Sequence, residues 1–164
     1  MKMKIVVISD THIPDKEVSL PSRLQEEIKD ADMVIHAGDF VSIEVLEKIK
    51  SLCANVRAVC GNMDTPEMRN ILPQKEIFKV GRYKIGIIHG YGAPHNLVET
   101  LSDEFKAEKL DIVIFGHSHS ALNEKIRDTL FFNPGSLTDK MFAKVNSYGI
   151  IEVNDKIEAR IVEI

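Results

Sequence analysis

The chain predicts an α/β fold of four layers, an αββα sandwich with two mixed β-sheets face to face and helices outside. Three observations carry that expectation. Continuous aliphatic runs such as Lys4–Ser9 and Ile112–Phe115 have the pattern of strands covered on both faces. Strands before residue 75 are separated by helix-length amphipathic stretches, whereas most of those after it are joined by hairpin signals. A length of 164 residues is enough to bury about two-thirds of the unfolded surface without staples, in one domain spanning residues 1–164.

Taken in order, the first strand, Lys4–Ser9, ends in Asp10-Thr11-His12, a carboxylate and an imidazole at the carboxyl edge where open sheets place ligands. Pro21–Asp30 reads as a helix with Leu24 and Ile28 one turn apart. Asp32–His36 is the second strand and runs into Ala37-Gly38-Asp39. Ser42 then caps a helix with Glu44 and Glu47 in its early turns and Ile43, Leu46, Ile49 and Leu52 on its apolar stripe. Asn55–Cys60 is the third strand, finishing in Gly61-Asn62-Met63-Asp64, and a loop containing Pro66 and Pro73 follows.

Glu76–Val80 and Tyr83–Ile88 form a hairpin around Gly81-Arg82, its second arm ending in His89-Gly90. His95–Lys106 is a helix behind Pro94, with Leu97, Leu101 and Phe105 on one face. Ile112–Phe115 runs into Gly116-His117-Ser118-His119, where the glycine permits a turn that brings both imidazoles toward one point. Ala121–Arg127 and Thr129–Phe132 make another hairpin, Asn133-Pro134-Gly135-Ser136 a tight turn, and Ser147–Val153 with Lys156–Ile164 a last pair around Asn154-Asp155.

Composition narrows the function. The net charge is −4 and no dense Lys/Arg run occurs, so there is no electrostatic footprint for nucleic acid. No apolar run approaches the ~18 residues of a membrane span and no signal peptide opens the chain, which predicts a soluble cytoplasmic protein. Cys53 and Cys60 lack the spacing of a zinc or redox pair and are expected to be reduced core thiols. Whether the chain forms a homo-oligomer stays open.

The strand ends collect Asp10, His12, Asp39, Asn62, His89, His117 and His119. Carboxylate, amide oxygen and imidazole suit borderline divalent ions, with Mn²⁺ the first choice and Ni²⁺, Co²⁺, Fe²⁺ or Zn²⁺ alternatives. With one carboxylate as a bridge, the set is large enough for two ions. Two ions outweigh the two aspartates, so the site attracts a phosphate anion, and water held there ionises near neutral pH to attack phosphorus.

In this order D-x-H, G-D, G-N, H and G-H-x-H resemble the calcineurin-like metallophosphoesterase superfamily, across residues 10 to 119. The small size and Asn133-Pro134-Gly135-Ser136 resemble its compact bacterial and archaeal phosphodiesterase branch. The resemblance implies that Asp10, His12, Asp39 and His119 hold one metal, and that Asp39 as bridge, Asn62, His89 and His117 hold the other. It also implies that a histidine following the asparagine contacts phosphate or protonates the leaving group, with the next aspartate orienting it. Here Met63 replaces that histidine, and Asp64, placed to orient an imidazole, lacks its partner.

The function expected is therefore hydrolysis of a small or activated phosphodiester. The alternatives are a phosphomonoesterase, including a protein phosphatase, which the short chain disfavours, and a non-catalytic protein-interaction scaffold of the same fold, which the intact ligand set disfavours. Outside this set, His36 is either a support of the bridging carboxylate or a packed strand-end residue, and His95 opens a helix. Phe131, Phe132 and Phe142 are expected in the core, with a substrate groove as the alternative.

Overall fold

The computed structural model describes residues 1–12 and 19–164. One sheet has the order β10-β9-β1-β2-β3, built from Ile157–Glu163, Ser147–Val153, Met3–Ile8, Met33–His36 and Val56–Ala58. The other has the order β4-β5-β6-β8-β7, from Lys75–Val80, Tyr83–Ile88, Ile112–Ile114, Thr129–Asn133 and Leu122–Ile126. Both sheets are mixed: β1 pairs parallel with β2 and antiparallel with β9, while β5 and β8 flank β6 in parallel.

Period-2 alternation sorts each strand's side chains into layers. From β1, Ile5 and Val7 point between the sheets and meet Ile87, Ile114, Phe132 and Ile151, while Val6 and Ile8 point outward. The outward pair packs under α1 (Ser22–Lys29) and α2 (Ile43–Leu52) through Leu24, Ile28, Leu46 and Ile49. On the far face of the second sheet, Val113, Phe115 and Phe131 pack under α4 (Leu97–Glu104) through Leu97, Leu101 and Phe105. Three apolar interfaces between four layers, two sheets and two sets of helices, are the αββα sandwich that was expected. Each fully buried aliphatic side chain contributes about 1.5–3 kcal/mol to holding them together.

Two expectations need correction. The segment with Pro66 and Pro73 is not all loop: Pro66–Ile71 forms α3, whose first-turn proline follows Thr65, a cap that accepts from the Met68 N–H. The second concerns the phenylalanines. Phe131 and Phe132 are core residues, but Phe142 is 76% exposed. Both cysteines are free thiols, Cys60 buried and Cys53 half-buried. Among the described residues no helix is long and apolar enough to cross a membrane.

Candidate metal centre

β1, β2, β3, β5 and β6 all end on one rim, and the candidate ligands follow those ends. The backbone there leaves ordinary geometry: Asp10, His12, Asp39, His117 and His119 all have φ between 42° and 69°. Left-handed φ costs an L-residue roughly a kcal/mol or more and is tolerated best by Asn, Asp and His. Five of the seven candidates share it, so the loops are turned to aim these side chains. The expectation that Gly116 supplies the turn is corrected, because His117 and His119 carry the positive φ themselves. Gly116 instead permits close approach: a Cβ there would sit 2.5 Å from Asp10 Oδ2 and closer still to Ser9 Oγ.

The ligand atoms of Asp10, His12, Asp39 and His119 lie within 4.8 Å of one another. Asp10 Oδ1 is the hub, 3.2 Å from His119 Nε2, 3.7 Å from His12 Nε2 and 3.8 Å from His89 Nε2. Its other oxygen accepts from Ser9 Oγ at 2.5 Å and from the His117 N–H at 3.2 Å. Asp39 is held in the same way. Its Oδ1 accepts the Met63 N–H at 2.8 Å, while Oδ2 faces His89 Nε2 at 3.2 Å and His12 Nε2 at 3.6 Å.

Tautomers follow from the partners. A carbonyl and a carboxylate can only accept, so His89 donates from Nδ1 to Ala37 O at 2.7 Å and His119 from Nδ1 to Asp139 Oδ2 at 2.5 Å. Both rings therefore turn Nε2 toward the aspartates. Asp10 Oδ1, His12 Nε2 and His89 Nε2 are buried with no hydrogen-bond partner among the described residues. Unpaired buried polar atoms are costly, and a divalent cation is the group that satisfies carboxylate and imidazole donors converging on one point.

The electrostatics agree. Burial alone would raise the Asp10 carboxyl, but the imidazoles of His119, His12 and His89 and the Ser9 hydroxyl hold it well below the usual carboxylate range. Burial works against Asp39 too, and His89 and the Met63 amide bring it down. In the metal-free protein the hydrogen bond to Asp10 outweighs burial and, with Asp139, pushes His119 up to about 9. His89 is likewise raised, burial being overcome by Asp39 and Asp10.

The remaining candidates flank this cluster. The rings of His89 and His117 lie 5.4 Å apart edge-to-face, and His117 Nε2 donates to Gly92 O at 3.0 Å. His117 thus packs against His89, whereas His119 packs against His12, their ring centroids 5.1 Å apart. The Asn62 residue is exposed, at the mouth of a cleft of about 530 Å³ that also borders His89. His36 does not touch the Asp39 carboxylate. Its Nδ1 accepts from Gly38 N–H at 3.1 Å, so its Nε2 faces Thr11 Oγ1 at 3.2 Å as donor, and the ring stacks on Phe40 at 3.4 Å. It braces the backbone under Asp39 from below.

Asp64 also departs from expectation. Its oxygens accept from Gly61 N, Asp39 N and Val41 N at 2.7, 3.0 and 2.9 Å, so it clamps the Asp39 loop and is not poised to orient an imidazole at position 63. The Met63 side chain points out, 57% exposed, while its amide does the positioning. Asp139 is the residue that sequence reasoning missed. It lies in the polar stretch Thr138-Asp139-Lys140 after a turn, with no spacing that marks it. Burial opposes its ionisation, but His119 and the Met141 and Phe142 amides hold its carboxyl down at about 2. The Asn133–Ser136 turn does reach the site: Asn133 Nδ2 donates to Gly116 O, and Ser136 Oγ to Asp10 O at 2.8 Å.

Residues 3–156 match the family model of the calcineurin-like phosphoesterase superfamily domain, and the chain belongs to that superfamily. It is 38% identical to a probable metallophosphoesterase of Methanocaldococcus jannaschii, over 99% of this chain and 82% of that one. A phosphodiesterase of the same organism is 30% identical over 98% of this chain and 99% of its own. In fold, the chain is similar to Vps29 from Entamoeba histolytica, solved in complex with Zn²⁺, with a TM-score of 0.79 and 25% identity over 98% and 99% of the two chains. Family and donor cluster together support divalent-metal binding and phosphoester hydrolysis.

Proposed function

We propose that this chain is a phosphodiesterase that works with two divalent ions, Mn²⁺ by preference, on a small or activated phosphodiester. The observation that carries the reading is the convergence of Asp10 Oδ1, His12 Nε2 and His89 Nε2, buried and unpaired, on the two sides of Asp39. Asp10, His12, Asp39 and His119 would hold one ion. Asp39 again, with Asn62, His89 and His117, would hold the other. Bound ions of this kind acidify water and draw charge from a phosphate ester held in line with it.

The chain's own residues set the geometry for that chemistry. Asp39 has one oxygen pinned by the Met63 amide, so its free oxygen keeps one orientation between the two sides. His89 and His119 present unprotonated Nε2 atoms once a cation replaces the shared proton, because Ala37 and Asp139 keep Nδ1–H engaged. A thioether cannot give a proton, so position 63 supplies none to the leaving oxygen, and esters that depart as stable anions are favoured. The likeness to a relative named as a phosphodiesterase supports diesters over monoesters.

The test is metal content after purification without chelator, paired with hydrolysis of bis(4-nitrophenyl) phosphate and 4-nitrophenyl phosphate. Bound metal with faster diester cleavage is expected. Faster monoester cleavage reassigns the enzyme, and metal uptake with neither hydrolysis would replace the reading by the non-catalytic alternative.

A further inference from the structure

We infer that the cleft beside His89 is a subsite for a second anionic group carried on one ester arm of the substrate, and that Arg69 is the residue that reads it. The inference rests on the phosphodiesterase reading above. The cleft, about 530 Å³, is bordered by the candidate ligands Asn62 and His89, and by Arg69, Lys75, Tyr91 and Glu104. Its volume lies in the range of small-molecule pockets.

The charges in it are not equivalent. Lys75 Nζ sits 2.8 Å from Glu104 Oε1, and the other oxygen of Glu104 accepts the Tyr91 hydroxyl at 2.9 Å. That group satisfies itself. Arg69 faces no carboxylate at ion-pair distance among the described residues, and Nη2 donates to the Asn62 carbonyl at 2.5 Å. The bond fixes the guanidinium beside a residue at the edge of the metal centre and leaves its other N–H donors free. A guanidinium presents a planar fork that matches a carboxylate or phosphate two bonds at a time.

The surroundings define the ligand. The cleft runs beside His89, so one arm of a phosphodiester at the metal centre would lie along it, past Tyr91, half-exposed and anchored through its hydroxyl, with Arg69 as the partner of its charged end. The positive charge is local in a chain of net charge −4 without basic runs, so it fits one additional anion rather than a polyanionic strand. The substrate class is a short diester whose retained arm ends in a phosphate or carboxylate.

The experiment compares 4-nitrophenyl alkyl phosphates that share a leaving group and differ only at the arm's end, methyl against carboxylate or phosphate, on the metal-loaded enzyme. A charged end should raise kcat/KM roughly tenfold or more, the scale of hydrogen bonds to a charged group. Arg69→Gln, which keeps an N–H for the Asn62 carbonyl, and Arg69→Ala should both bring the ratio close to one. Calorimetry supplies a readout independent of turnover, with 3-phosphonopropionate expected to bind wild type more tightly than propylphosphonate and Arg69→Gln to erase the difference. A wild-type ratio near one in both assays, or a preference that survives Arg69→Gln, overturns the subsite. Arg69-dependent binding of 3-phosphonopropionate without hydrolysis of any diester keeps the subsite and overturns the phosphodiesterase reading instead.

Discussion

On one side of Asp39, the ligand atoms of Asp10, His12 and His119 lie within 4.8 Å of one another and are braced from outside the strands. Ser136 Oγ holds the Asp10 carbonyl, Thr138 Oγ1 holds the Thr11 carbonyl at 2.5 Å, and Asp139 holds the His119 ring. On the other side only His89 is so fixed, through Ala37, while Asn62 is exposed and His117 turns toward Gly92. The difference teaches that one side of Asp39 is held in place by protein contacts alone, whereas the other is left open. The open side is also the one that borders the cleft.

The largest expected effect comes from removing what the two sides share. Asp39→Ala should lose both ions and activity, since its carboxylate faces His12 and His89 alike. Elemental analysis showing two retained ions in this variant would break the comparison at its centre.

Acid should next attack the floor of the built side. His36 is fully buried, and burial lowers it from 6.5 to about 3, so the folded chain keeps it neutral where the unfolded chain takes up a proton. Its contribution is therefore complete above pH 6.5 and is lost progressively as pH falls from there toward 3. In chelator-treated protein, the stability advantage of wild type over His36→Gln should shrink over that window when measured by denaturant unfolding. A difference independent of pH would mean that His36 is not held neutral.

Asp139→Asn tests the brace. Removing the charge behind His119 should weaken the tighter ion about 10- to 100-fold and spare the weaker one, as read by competition with a chelating dye. Equal loss at both positions would show that Asp139 supports the fold of its loop rather than the ligand. The smallest effect is expected from Met63→His. Asp64 is occupied by three backbone amides, so the new imidazole is unoriented, and the ratio of alkyl to aryl diester rates should change far less than the ~10²- to 10⁴-fold of a working general acid. A large selective gain on alkyl esters would show that Asp64 can leave its clamp.

The contrast also explains what the chain revealed before folding. Candidate ligands such as Asp10, Asp39 and His119 announce themselves because each follows a buried strand, and strand periodicity is a local signal. Asp139 and the hold of Asp64 on the Asp39 loop are products of tertiary packing: His119 is 20 residues from Asp139, Asp39 and Val41 are 25 and 23 from Asp64, and no local pattern encodes such pairs. Helix α3 was masked for another reason. At six residues, beginning on Pro66 itself, it is too short for periodicity, although Thr65-Pro66 is a helix start in miniature. Phe142 escaped because hydrophobicity alone predicts burial, whereas its ring stands 6.4 Å from His119 on an exposed loop.

The most direct measurement is stepwise titration of metal-free protein with Mn²⁺, following bound ion by electron paramagnetic resonance. Two ions per chain in two steps of unequal affinity are expected, with Asn62→Ala abolishing only the weaker step. Saturation at one ion, or loss of the tighter step in Asn62→Ala, would contradict a centre with one built and one completed position.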